Sequence, residues 1–229
     1  MKGLSLSLDM ARAWHAGRKT VTRRLMRPQP DTKNWKPETM FKQKEWRKQS
    51  CLGPGHRTFD PDVWCLFNVG DPANAVALTG REPPYRPGEI VYIQEPFVCI
   101  AGGHFPGFIL APHTMIVYQA NMSEQYLIDE PPDNIPVYDA DEPETWIWQS
   151  PVTMLKKFSR SQARIVDVRV ERIREITEDE AYNEGVFGGD WMGDPIGEFI
   201  KLWNSIYPGS WERNDFIWRY GLERVEADS

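Results

Sequence analysis

Cysteine and histidine are scarce in this chain: its 229 residues include three cysteines and four histidines. Cys51, Cys65 and Cys99 are odd in number and far apart, which argues against a disulfide framework and fits reduced thiols. Cys51, His56 and Cys65 share one segment, but zinc sites favour paired ligands at short intervals, and this spacing lacks both the pairing and a fourth ligand. No metal and no cofactor is therefore expected. His15, His104 and His113 have no partners at ligand spacing and read as surface or packing residues. Long apolar runs are missing too. Nothing approaches the ~20 apolar residues of a membrane span, and the N-terminus lacks the apolar core of a signal peptide. The expectation is a cytoplasmic protein without a membrane partner, in which the Asn121-Met122-Ser123 sequon is a chance match.

An excess of positive charge is the third absence. The formal net charge is −6 and the pI about 5.3, which excludes a broad basic surface for coating duplex nucleic acid. Any nucleic-acid contact must be local. Two basic clusters offer one: Arg18, Lys19, Arg23, Arg24 and Arg27 near the start, and Lys156, Lys157, Arg160 and Arg164 later. Either cluster read alone is equally well a solvated face.

What the chain does contain is enough apolar material for one core. Hydrophobic residues make up 41% and charged residues 26%, which is a globular composition, and the length suits one domain with an insertion. Ten tryptophans and 19 prolines point to short strands and rigid loops, with less helix than average.

Periodicity places the elements. Leu4, Leu6 and Leu8 alternate as a strand, Asp9 is positioned to cap a helix through Trp14 that Gly17 ends, and Thr20 to Thr22 begin a second strand. From Pro28 to Pro84 the pattern fails, and the stretch reads as an insertion packed on the rim or acting as a lid. A strand is expected from Glu89 to Phe97. Glu95 there shares the parity of Val91 and Ile93, so it must lie at a pocket mouth or be paired. A further strand is expected at Thr114 to Ala120 and a long one from Ala163 to Arg174, with Val166, Val168 and Val170 inward and Arg164 on the same parity. Thr177 and Glu180 form a capping box, Glu184 sits in that helix's last turn, and a second helix follows Asp194. Phe216 to Val225 closes the chain as a strand.

The residues at these junctions resemble the ASCH family, a PUA-like group, and in particular its phage-encoded branch. The likeness is carried by Gly17-Arg18-Lys19-Thr20-Val21-Thr22-Arg23-Arg24, by Tyr85-Arg86-Pro87-Gly88-Glu89 through Glu95, by Ala163-Arg164-Ile165, and by Ile176-Thr177-Glu178-Asp179-Glu180-Ala181 with Glu184-Gly185. Leu202 to Tyr207 and Trp211 to Trp218 extend it. Phage-type relatives usually carry a Met-Pro step before the long strand, where this chain has Met154-Leu155-Lys156-Lys157-Phe158.

The resemblance implies an α+β fold built on a small PUA-like β-barrel formed by residues 1–27 and 85–229, with short helices on the rim and residues 28–84 inserted. It also implies a hydrolase of modified pyrimidine nucleosides or nucleic acid, like the amidohydrolases that remove an acyl group from N4-acetylcytidine. By similarity, the catalytic roles fall on Lys19, Thr22 and Glu184. Arg18, Arg23, Glu95 and Arg164 would orient a nucleoside or single-stranded nucleic acid. Independently, Glu184 near a helix C-terminus needs a cationic partner, because the macrodipole disfavours negative charge there. The competing expectation is a module that binds RNA or a modified base without turnover.

Overall fold

The computed structural model describes residues 1–29, 65–68, 71–77, 83–101, 114–126, 133–186 and 193–225. Among them the chain is mixed α+β, rich in strands and poor in helix. It divides into two compact units, the first made of Met1–Lys19, Ile90–Arg164 and Glu223–Ser229, the second of Thr20–Glu89 and Ile165–Leu222.

In unit one, β1 (Lys2–Ser5) lies parallel to β5 (Ile90–Gln94), with Leu4 opposite Ile93. The start of β10 (Gln162–Arg172) runs antiparallel to β5, pairing Ala163 with Val91. Helix α1 (Leu8–His15) starts two residues earlier than the Asp9 cap suggests, with Ser7 at the N-cap, and buries Met10, Ala11, Ala13 and Trp14 on one face. Gly17 then takes a positive φ of 73°, which turns the chain out of the helix at no steric cost.

A second sheet fills the rest of unit one: β6 (Phe97–Ala101) pairs with β7 (Thr114–Tyr118), β7 with β8 (Ser123–Tyr126), and β6 also with β9 (Val137–Asp139). Its middle strands are apolar on both parities. Phe97, Cys99, Ile116 and Tyr118 pack with Ile135, Met154 and Phe158 on one side, while Val98, Ile100, Met115 and Val117 are covered by Tyr138, Trp146 and Trp148 on the other. Covering both faces explains continuous apolar runs where alternation would otherwise be expected. The strand expected from Glu89 to Phe97 is accordingly two strands, broken at Glu95-Pro96.

Unit two contains β2 (Val21–Leu25) antiparallel to β11 (Phe216–Val225), with Thr22 opposite Tyr220 and Arg23 opposite Arg219. Helix α2 (Glu178–Asn183) carries the capping box read from Thr177 and Glu180, and α3 (Pro195–Ile206) is capped by Asp194 on the Gly197 amide. Phe199, Trp203 and Trp211, the last on the short α4 (Ser210–Arg213), form an aromatic cluster. The insertion expected to lack periodicity includes a hairpin, β3 (Cys65–Asn68) against β4 (Asp71–Ala77). Residues 30–64, with Cys51 and His56, lie outside the described residues, as do His104 and His113.

Two expectations need correction. Along β10 the buried parity is Ala163 and Ile165 and then Val168 and Val170, so it switches between them and leaves Val166 49% exposed. Arg164 consequently does not share an inward face; its side chain is 46% exposed and lies 3.8 Å from Glu223. The strand pairings close no barrel among the described residues. No described helix is long and apolar enough to cross a membrane.

Candidate functional site

Strand β2 brings two polar residues into the interior of unit two, one on each face. Thr22 and Arg23 are both buried, and successive strand residues point to opposite sides. Thr22 therefore shares its side with Tyr220, and Arg23 with Arg219. The entry to β2 is tied to the end of α2, because the Thr20 amide donates to the Asn183 carbonyl at 2.8 Å. Glu184 follows as the C-cap of α2, buried, with Gly185 at a φ of 86° ending the helix.

A carboxylate at this end of a helix requires a cation, and Arg23 supplies it: Nη1 lies 3.3 Å from Glu184 Oε1. The same guanidinium donates from Nη2 to Glu180 Oε2 at 2.7 Å and lies 3.4 Å from Glu171 Oε2. Three carboxylates thus surround one buried arginine, which explains how its charge is tolerated there. Arg23, expected as a substrate contact, is thus ion-paired inside unit two. Arg18 is exposed, at the turn after α1.

Lys19, the last residue of unit one, is 2% exposed, and its amide donates to the Ala13 carbonyl at the end of α1. Buried lysines are rare, because the charged form loses its hydration.

Unit one holds a second buried carboxylate. Glu95 is 1% exposed and accepts from Arg160 twice, Nε to Oε1 and Nη2 to Oε2, both at 2.8 Å. His15 Nε2 lies 2.9 Å from Glu95 Oε1. Burial alone would raise the Glu95 carboxyl, but the hydrogen bonds from His15 and Arg160 outweigh it and hold the group below its ordinary value. Arg160 also stacks over the Tyr118 ring at 4.1 Å and donates to Asn121 Oδ1 and Ser123 Oγ. Glu95 is thereby the anchor of an ion-pair cluster, and its arginine partner is Arg160.

Sequence reasoning missed His15, Arg160, Glu171 and Arg219 as members of these clusters. A buried carboxylate at Glu95 demanded a cation, but the choice among four nearby basic residues depends on register. Among the described residues no cluster of histidine, cysteine and carboxylate side chains forms a metal site. No family model, no curated protein and no solved structure matches the chain.

Proposed function

We propose that the protein is a hydrolase acting on a modified pyrimidine nucleoside or nucleic acid of the N4-acylcytidine class, on a PUA-like fold of the ASCH kind, working in the cytoplasm. One observation carries this reading. Eight polar or charged residues are buried among the described ones, and five of them, Lys19, Thr22, Arg23, Glu95 and Glu184, are among the seven that the ASCH resemblance and strand parity single out; Arg18 and Arg164 are exposed. Burying lysine, arginine and glutamate costs stability unless each is paired, and such groups cluster at functional sites.

In this reading the Thr22 hydroxyl adds to the acyl carbonyl and gives its proton to a base, the role that the ASCH resemblance assigns to the Lys19 amine. The C–N4 bond then breaks, N4 leaves as the free amino group with a returned proton, and water releases the acyl group from Thr22. Glu184 supplies the negative charge that orients the cationic partner.

The test is a panel of N4-acylated cytidines, followed by release of cytidine, with Lys19→Arg beside the parent. A guanidinium keeps the charge but cannot surrender its proton near neutral pH, so the variant should lose turnover and retain binding. Full hydrolysis by Lys19→Arg removes Lys19 from the chemistry. A parent that binds acylated cytidine or short RNA without turnover is a binding module instead.

A further inference from the structure

Arg23 and Arg219 are direct cross-strand partners, and like charges so placed repel. Unit two offsets the repulsion with Glu180, which bridges them: Oε2 accepts from Arg23 at 2.7 Å and Oε1 from Arg219 at 3.2 Å. Asp167 holds Arg219 from the other side, with Nη1 at 3.0 and 3.1 Å from its two oxygens. That approach needs a bare backbone. A Cβ on Gly221, two residues along the same strand, would stand 2.3 Å from Asp167 Oδ1.

The distances rank these contacts. Arg23 to Glu180 is a short charge-assisted bond, whereas Arg23 to Glu184 at 3.3 Å and to Glu171 at 3.4 Å are looser. Glu180 therefore sets where the Arg23 guanidinium sits, and Glu184 follows it. Glu171 is the weakest member, its carboxyl pushed above the ordinary range by burial despite Arg23 beside it.

We propose that Asp167, Arg219, Glu180 and Arg23 form a relay of positioning residues that fixes the Glu184 carboxylate for the proposed hydrolysis. The reaction part rests on the reading above; the relay itself does not. Glu180 also completes the α2 capping box with Thr177, a role glutamine serves equally, so Glu180→Gln separates charge from capping.

The experiment uses the full chain, labelled with ¹³C at glutamate side chains, with the Glu184 resonance assigned by its absence in Glu184→Gln. Glu180→Gln and Arg219→Gln should each move the Glu184 carboxyl resonance, and should lower kcat on the acylated cytidine about tenfold with KM within about twofold, since displacement of a reacting group acts on the chemical step. Arg219→Lys, which keeps the charge, should recover most of the rate. An unmoved Glu184 resonance in both glutamine variants overturns the relay, whatever kcat does. If the parent hydrolyses nothing, the hydrolase reading falls, while a moved resonance still supports the relay and an unmoved one still refutes it.

Discussion

Replacing Glu95 by glutamine removes a charge and one acceptor while keeping the shape of the side chain. The buried carboxylate makes two 2.8 Å contacts with Arg160 and one of 2.9 Å with His15. Glutamine retains one oxygen, so one charge-assisted bond worth about 1.5–3 kcal/mol is lost, and Arg160 is left partly unpaired. Breaking a fully buried pair costs roughly 3–5 kcal/mol, but Arg160 and His15 reach solvent, which discounts that figure. The expected loss is about 2–3 kcal/mol, or about 5–10 °C in Tm for a chain of this size. Because the folded Glu95 is held below its ordinary 4.5, the unfolded chain binds more protons in that interval. The stabilisation is complete above 4.5 and disappears as the pH falls through the lowered value. Urea unfolding at neutral and acid pH tests both parts: Glu95→Gln should be less stable at neutral pH and should lose part of the acid decline. A neutral-pH difference below about 0.5 kcal/mol would refute the anchor role.

Glu171→Gln should act in the opposite direction. A carboxyl raised above 4.5 makes the folded state hold the extra proton, so stability falls as pH rises through that window, and urea midpoints should show the variant gaining over the parent toward neutral pH. Cys99 is fully buried and its thiol is pushed up to about 11 by burial, so maleimide should leave the Cys99 peptide unmodified in native protein and label it in urea, as read by mass spectrometry. Gly221→Ala should cost about 1–3 kcal/mol in thermal melts by pressing on Asp167 and Val166, and less in a chain that also carries Asp167→Ala than in the parent.

Local signals in the sequence match the structure at most helix ends, the exception being α1, where Ser7 and not Asp9 is the N-cap. Gly17 and Gly185 end helices in the left-handed region, Thr177 and Glu180 cap α2, and Pro195 opens α3. The errors arise where a strand's surroundings decide. Alternation along β10 was extrapolated from Val166, Val168 and Val170, yet the buried side changes within the strand, and this reversed Val166 and Arg164 together. β5 and β6 looked like one strand because both faces of β6 are covered by apolar groups, which erases the period of two. Strand parity leaves Glu95 either at a pocket mouth or paired, and it is paired with Arg160. Naming Arg160 needed the turn at Asn121 to Ser123, which holds its guanidinium from the far side.

Glu95 and Glu184, two of the three buried carboxylates among the described residues, are held in different ways. Glu95 is gripped by a fork of two equal bonds and by a histidine, and its proton affinity is lowered; every feature favours one rigid, ionised state. Glu184 faces an arginine that it shares with Glu180 and Glu171, at a distance longer than the bond Glu180 makes. A carboxylate that shares its cation with two others, at this longer distance, is gripped less tightly than one held by a fork of two short bonds. Loss of the Glu95 charge should therefore appear in stability far more than in turnover, and loss of the Glu184 charge in turnover far more than in stability. Measuring both quantities for Glu95→Gln and Glu184→Gln tests this assignment directly, and a larger stability loss for Glu184→Gln than for Glu95→Gln would reverse it.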